Sequence, residues 1–281
     1  LHWMVHSFPT RRSSDLGIWI VAETREQAFE LLGAGCTLAP GMEAALTAVV
    51  PKGSAPPGEY IARGADEVLL LAALAPGEPF GAHLPVIEQE AGAGSPDLIL
   101  FAATARGKES AARLAARLGC GLCSGCTALA FDREARSLRM ERLAYGGAAI
   151  QKLDALSKPV IVTVPPRSFE AAAAAEGRQG RVRELPAPPP SPVKIVERKP
   201  KEKAATDIAE ARVIVCAGRG FDRKEDLALA RELADALGGE LGATRPVTEE
   251  LHWLPEDLCI GLSGVQVKPE LYVGLGVSGQ V

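Results

Sequence analysis

A glycine-rich turn near the end of the sequence is the first feature that could bind a ligand. Gly274, Gly276 and Gly279 form the pattern G-x-G-x-x-G directly after an apolar stretch at 271–273 that predicts a strand. Glycines at such a turn let the backbone approach a ligand closely, and the N–H groups that follow can hold a phosphate. Tight turns that bind nothing show the same pattern, so both interpretations stay open here.

Further polar side chains follow other apolar stretches. Arg219 lies between two glycines after the predicted strand 213–217. In open α/β sheets ligands bind beyond the carboxyl ends of the strands, and a guanidinium there offers two parallel donors. Thr244, Arg245 and Ser263 lie in later loops, where a hydroxyl and a guanidinium could hydrogen-bond a flat redox-active ring. Two glycine-flanked turns in one domain favour a nucleotide-like ligand over none, whereas spacing alone favours ordinary polar loops for Thr244, Arg245 and Ser263.

Three cysteines, Cys120, Cys123 and Cys126, have the spacing C-x-x-C-x-x-C, which suggests an iron–sulfur or zinc site. Such a site needs a fourth ligand, and no cysteine or histidine follows at short spacing. We therefore predict small buried thiols near a turn and no metal. The irregular spacing of all six cysteines favours reduced thiols in a cytoplasm over a disulfide framework.

The elements that must position these residues alternate between strand and helix. Apolar runs without alternation predict buried parallel strands at 17–22, 46–50, 67–71, 97–102 and 158–164. Helices are predicted up to residue 32, ended by Gly33, and over 111–118, ended by Gly119. This order predicts an α/β fold with a mainly parallel sheet flanked by helices.

A second α/β unit follows a stretch that is rich in proline and charge. Such a segment cannot bury a core, so we predict a linker at 191–206 between an N-terminal domain at 17–190 and a second domain at 207–281. In the second domain a strand is predicted at 213–217 and a helix at 224–237. The apolar stripe of that helix is predicted to comprise Leu227, Ala230, Ala234 and Leu237.

Composition excludes several classes of protein. A net charge of −4 argues against a nucleic-acid binder, and no apolar run approaches the length of about 20 residues that a bilayer-spanning helix needs. Neither a G-x-S-x-G nucleophile motif nor a P-loop is present. Residues 1–16 lack the apolar core of a secretory signal, so we interpret them as a non-native leader, with a degenerate transit peptide as the alternative.

Five ordered blocks, at 217–220, 242–246, 260–264, 268–272 and 276–281, resemble the alpha subunit of electron-transfer flavoproteins. Residues 19–23 and 116–122 are similar to the same family more loosely. The resemblance implies FAD bound by a Rossmann-like C-terminal domain, and an N-terminal domain that docks a beta subunit carrying AMP or a second FAD. It also implies a redox carrier that takes electrons from acyl-CoA-type or other dehydrogenases and passes them to a quinone oxidoreductase or a ferredoxin.

By the same resemblance, Arg219 is expected near the FAD pyrophosphate, Thr244 and Arg245 near the isoalloxazine, and Ser263 near its reactive nitrogen. Leu262 departs from the polar residue that many members carry, and Thr244 replaces the commoner serine. The full set of residues expected to bind the cofactor is Arg219, Thr244, Arg245, Ile260, Gly261, Leu262, Ser263, Ser278, Gly279, Gln280 and Val281.

Members of the family continue beyond the equivalent of Val281 with segments that contact the ribose and adenine, so we expect the second domain to be incomplete in this chain. Two alternatives stay open at this point. The turn at 274–279 could serve an NAD-dependent oxidoreductase, or another dinucleotide-binding protein, instead. The N-terminal domain could also be a docking scaffold only.

Overall fold

A computed structural model describes residues 17–197, 207–261 and 264–279, which fall into two compact units. The first unit comprises residues 17–145 and 149–197, and the second contains the described residues from 207 onward. The predicted leader lies outside the described residues, as does the linker segment 198–206.

Thirteen strands and five α-helices make up the described parts of the chain. In chain order the strands are β1 (Gly17–Val21), β2 (Ala45–Pro51), β3 (Glu67–Leu71), β4 (Leu98–Ala102), β5 (Gly121–Cys123), β6 (Cys126–Asp132), β7 (Ser137–Ala144), β8 (Ala149–Asp154), β9 (Val160–Val164), β10 (Arg181–Glu184), β11 (Val213–Ala217), β12 (Glu240–Ala243) and β13 (Leu271–Leu275). The helices are α1 (Arg25–Met42), α2 (Pro57–Ala62), α3 (Leu84–Gly94), α4 (Ala105–Leu118) and α5 (Leu227–Ala236).

A seven-stranded parallel sheet forms the first unit, in the order β10-β3-β2-β1-β4-β9-β5. Its central strands are buried along almost their whole length, as the apolar runs without alternation predict. Ala28 and Leu32 of α1 pack on one face of the sheet, and Ile87 of α3 and Leu114 of α4 pack on the other. The α/β prediction is thereby confirmed. In the described parts of the chain, no helix combines the length and apolarity needed to cross a membrane.

Helix α1 corrects one prediction. Gly33 was expected to end this helix, but the helix continues to Met42 and ends at Glu43, whose φ of 53° is left-handed. At Gly33 a Cβ atom would stand 1.9 Å from the carbonyl oxygen of Glu170, so glycine there permits a close contact with another segment. Helix α4 also begins earlier than predicted, because the Thr104 hydroxyl accepts a hydrogen bond from the Gly107 N–H at its N-terminus.

Strands β6, β7 and β8 form a separate antiparallel sheet that the sequence analysis missed. Leu138 and Met140 of β7 are buried against the main core, while the residues between and beyond them are less buried. Such a sheet, packed on one face only, alternates apolar and polar residues, and this alternation was the available signal. Helices α2 and α3 were missed as well.

The second unit contains a three-stranded parallel sheet in the order β12-β11-β13. Helix α5 covers one face through its predicted residues Leu227, Ala230 and Ala234. Leu237 was predicted in the same stripe, but it lies just beyond the helix end and is 41% exposed. The α-helix also begins at Leu227, after a single 3-10 turn at Lys224–Asp226, and not at Lys224.

Candidate functional site

The order of the strands creates a crevice at one edge of the second sheet. Strand β11 is central, and the chain leaves it for β12 on one side and reaches β13 on the other. All three strands are parallel, so the loops that follow them emerge at the same edge. Open α/β sheets bind ligands where the direction of winding reverses in this way.

The residues predicted to bind a ligand meet at that edge. Arg219 follows β11, Thr244 and Arg245 follow β12, and Ser278 follows β13. Together with Ile260, Gly261 and Gly279 they line one open cleft of about 620 Å³. Their role in binding a cofactor stays a prediction. The other four residues of the predicted set, Leu262, Ser263, Gln280 and Val281, lie outside the described residues.

Glycines allow two of these loops to lie against each other. The N–H of Gly220 donates to the carbonyl oxygen of Gly276 at 2.9 Å. A Cβ atom at Gly218 would stand 2.3 Å from that same oxygen, and Gly276 has a φ of 63°, which side chains disfavour. The glycine turns are therefore required by the backbone contact between the loops. That contact brings the ends of β11 and β13 to a common wall of the cleft.

A short π-helical turn, Pro246–Glu250, follows Arg245 and meets the cleft at Pro246. Val247 and Thr248 are fully buried, and the Thr248 hydroxyl donates to the carbonyl oxygen of Arg245 at 3.2 Å. The N–H of Thr244 donates to the carbonyl oxygen of Ala217, at the end of β11. The backbone that carries Thr244 and Arg245 is thus fixed to the sheet and the core.

Two carboxylates that the sequence analysis missed hold the two arginines of the cleft. Arg219 Nη1 donates to Glu250 Oε2 at 2.8 Å, and Arg245 donates through Nε to Glu249. The second hydrogen bond is the main cause that raises the pKa of the Arg245 guanidinium. The four-residue spacing of Arg245 and Glu249 on a helical turn was the available signal. Both arginines remain largely exposed and can exchange partners.

Donors in the cleft suit an anionic, flat ligand. The residues Arg219 and Arg245 supply two guanidiniums to the lining, and Thr244 and Ser278 supply two hydroxyl-bearing side chains. A guanidinium can bind phosphate through two parallel N–H groups and can also stack on an aromatic ring. In contrast, no group of three or more His, Cys, Asp or Glu side chains suited to a metal occurs within 17–197, 207–261 or 264–279. The fold and this cleft define a Rossmann-like, nucleotide-binding type of α/β protein.

Comparison with known proteins narrows that class. Residues 18–190 match the electron transfer flavoprotein domain, and residues 207–281 match the electron transfer flavoprotein FAD-binding domain. The chain is 32% identical to an electron transfer flavoprotein subunit alpha of Clostridium acetobutylicum, over 94% of the chain and 83% of that protein. It is 32% identical to a FixB protein of Clostridium saccharobutylicum, over 94% of the chain and 82% of the relative. A putative electron transfer flavoprotein subunit, YdiR of Escherichia coli K12, is 34% identical over 66% of the chain and 59% of its own length.

The chain therefore belongs to the electron transfer flavoprotein alpha subunit family, and its C-terminal part is that family's FAD-binding domain. The resemblance drawn from the five sequence blocks is confirmed, and so is the function of an electron transfer flavoprotein alpha subunit. Membership of the family also implies a beta subunit as partner.

Proposed function

We propose that the cleft at the edge of the second sheet holds FAD, and that the chain carries electrons on it within an alpha–beta heterodimer. The observation that supports this most directly is the convergence of Arg219, Thr244, Arg245 and Ser278 from three loops on one cleft. FAD, when bound, accepts electrons from a donor protein and delivers them to an acceptor. The residues of this chain bind and orient it.

The two arginines have different tasks in this proposal. Arg219, between the glycines after β11, binds the pyrophosphate, because a guanidinium matches phosphate oxygens with paired donors. Arg245 faces the isoalloxazine, where its positive charge favours added negative charge on the ring. Thr244 and Ser263 donate hydrogen bonds at the ring nitrogens, and Ile260 and Gly261 pack beside the ring. Leu262, Ser278, Gly279, Gln280 and Val281 complete the binding set.

The remaining partners follow the same proposal. The electron donors are acyl-CoA-type or other dehydrogenases, and the acceptors are a quinone oxidoreductase or a ferredoxin. The beta subunit docks on the N-terminal domain and carries AMP or a second FAD. The domains are proposed to span 17–190 and 207–281. A cytoplasmic location fits the six cysteines, all of which have free thiols in the structure.

Removal of the cleft arginines tests the flavin site. Arg219→Ala and Arg245→Ala are each expected to weaken FAD binding about 10-fold or more, because each removes a charged hydrogen-bond donor. Binding is measured by the quenching of flavin fluorescence as the chain, together with its beta subunit, is added to FAD. The control is Arg223→Ala, because Arg223 is an exposed arginine that pairs with Asp226 and is not among the cleft residues.

The result that would reject the proposal is also specific. If Arg223→Ala weakens FAD binding as much as the two cleft variants do, the effect comes from the change in net charge and not from contacts in the cleft. Binding of a nicotinamide dinucleotide without flavin by the unaltered chain would favour the oxidoreductase alternative. A flavin spectrum in the purified complex, lost on either cleft substitution, supports the assignment.

A further inference from the structure

Two of the three clustered cysteines share one buried site next to the antiparallel sheet. Cys123 ends β5 and Cys126 begins β6, and their side chains are 2% and 0% exposed. The Cys126 thiol donates to the carbonyl oxygen of Ala128 at 3.0 Å and also lies within reach of the Cys123 sulfur. Both side chains belong to the same core cluster, on the face of the main sheet that α1 covers. They are therefore in contact and shielded from bulk water.

The turn between these cysteines is fixed by the neighbouring strand. The Gly125 N–H donates to Thr163 Oγ1 of β9 at 2.9 Å, and that hydroxyl lies 3.5 Å from Ser124 Oγ. Gly125 has a φ of 70°, so this position favours glycine. Ser124 and Gly125, the two residues of this turn, are only partly buried, in contrast to the two cysteines that flank them.

A partly buried arginine lies beside the pair. Arg142 of β7 is the direct cross-strand partner of Cys126, and its Nε is buried without a hydrogen-bond partner. An unpaired buried donor is costly, so a negative charge within reach stabilises it. The hydrogen bond from Cys126 and the attraction of Arg142 lower the pKa of Cys123 against the opposing effect of burial. The hydrogen bond to Cys123 and burial both raise the pKa of Cys126.

We propose that Cys123 and Cys126 are a redox-active dithiol that forms a reversible disulfide with a peroxide as oxidant. Cys123, as the thiolate beside Arg142, is the attacking group, and Cys126 is the resolving thiol. This site lies in the N-terminal unit and does not depend on the flavin cleft. It assigns a role to the C-x-x-C-x-x-C motif, which takes no part in the proposed electron transfer.

The chemistry balances with hydrogen peroxide alone. The Cys123 thiolate attacks one peroxide oxygen and the O–O bond breaks. Hydroxide is released from the peroxide, and Cys123 becomes a sulfenic acid. The Cys126 sulfur then attacks the Cys123 sulfur, the S–S bond forms, and the S–O bond breaks with loss of water. In total the two thiols lose two electrons and two protons, and the peroxide becomes two molecules of water. A dithiol reductant reverses the reaction by thiol–disulfide exchange.

The other nearby cysteine is excluded from the pair by the sheet itself. Cys120 packs against the core cluster on the opposite face, with α4, although it is only three residues from Cys123. Burial raises the pKa of Cys120 and that of Cys36. Both side chains are nevertheless more exposed than Cys123 and Cys126. If exposure decides reactivity, Cys120 and Cys36 are oxidised before Cys123 and Cys126. If the pairing of the thiols decides it, Cys123 and Cys126 are oxidised first, so the proposal can be tested.

The test treats the reduced full chain with graded hydrogen peroxide, blocks remaining thiols with N-ethylmaleimide and locates the products by mass spectrometry of tryptic peptides. All three cysteines fall in the peptide 118–133. We expect this peptide to lose two hydrogens and to carry one blocked thiol, at Cys120, while Cys36 is still blocked in full. Cys120→Ser is expected to form the disulfide unchanged, and Cys123→Ser or Cys126→Ser to abolish it.

Arg142→Met adds a readout that keeps the cysteines intact. The rate of disulfide formation at neutral pH is expected to fall several-fold, whereas Arg139→Met, on the same strand but at an exposed ion-paired site, leaves the rate unchanged. Fragmentation of the wild-type peptide that places the bond at Cys120 would overturn the proposal. Oxidation of Cys36 before any disulfide forms would overturn it as well, without reference to any variant.

Discussion

At the residue scale, Glu250 competes with an anionic ligand for the guanidinium of Arg219. Its carboxylate accepts the Arg219 hydrogen bond at 2.8 Å, and both side chains are 62% exposed. A ligand phosphate that binds Arg219 has to displace this carboxylate. Exposed ion pairs of this kind are weak, so the competition is modest in size and sensitive to salt.

Glu250→Gln is therefore expected to strengthen FAD binding by a few-fold, up to about fivefold, since an exposed ion pair contributes at most about 1 kcal/mol. The dissociation constant is measured by flavin fluorescence at low and high salt. Glu256→Gln, at an exposed position outside the cleft lining, is the matched control for net charge. Equal strengthening in both variants would show that Glu250 has no specific contact with the site.

His83 makes a second prediction at the residue scale, on stability. It is 2% exposed against Phe80, and its Nδ1 has no hydrogen-bond partner. Burial lowers its pKa from 6.5 to about 4, partly opposed by attraction to Glu78. Between pH 6.5 and 4 the unfolded chain binds the proton and the folded chain does not, so stability falls as the pH falls through this window.

The size of this effect is at most about 3 kcal/mol, from the difference between the two pKa values. His83→Leu is expected to remove this contribution, so that its free energy of unfolding declines less than that of the wild type between pH 7 and pH 4. Urea denaturation at several pH values measures it. His252→Asn, at an exposed histidine, serves as control. Parallel stability curves for wild type and His83→Leu would refute the prediction.

At the scale of elements, helix α1 shows that a glycine does not always end a helix. The local pattern at Gly33 predicts a helix end, but the glycine instead permits close contact with another segment. The helix passes Gly33 because the carbonyl oxygen of Glu170 lies where a side chain would begin. The same approach brings the Ala172 N–H to the carbonyl oxygen of Phe29 at 3.1 Å. The segment after β9 is thus held directly on the helix backbone.

Gly33→Ala is expected to lower the free energy of unfolding by about 1–3 kcal/mol, the range for overpacking. Gly41→Ala in the same helix is the control, because its nearest neighbours would stand 3.8 Å away, an ordinary contact. Alanine there is expected to be neutral or to stabilise the helix by about 0.5–1 kcal/mol. Chemical denaturation of both variants measures whether each substitution lowers or raises the free energy of unfolding. A neutral Gly33→Ala would contradict the close contact.

The two units, at the scale of the whole molecule, divide the work between docking and cofactor binding in the proposed function. The first unit has a wide parallel sheet covered on both faces, which is a rigid base for a partner. The second unit places three loops at one sheet edge, where a ligand can enter. The reactive dithiol lies in the first unit and the cleft arginines in the second, so the tests of the two proposals are independent.

The sequence by itself determined the parallel strands, the positions of the glycine turns and the family. Unbroken apolar runs and left-handed glycines are local signals, and β3 begins and ends where the pattern predicts. The convergence of Arg219, Arg245 and Ser278 followed from strand parallelism, which brings carboxyl ends to one edge.

Only the tertiary structure decided the continuation of α1 past Gly33, the exposure of Leu237 and the pairing of Arg219 with Glu250. Each depends on a neighbour distant in sequence or on which face of an element meets the core. Glu250 is 31 residues from Arg219, and Glu170 is far beyond Gly33 along the chain. Local periodicity carries no information about such contacts, because they are fixed only when the sheet brings the segments together.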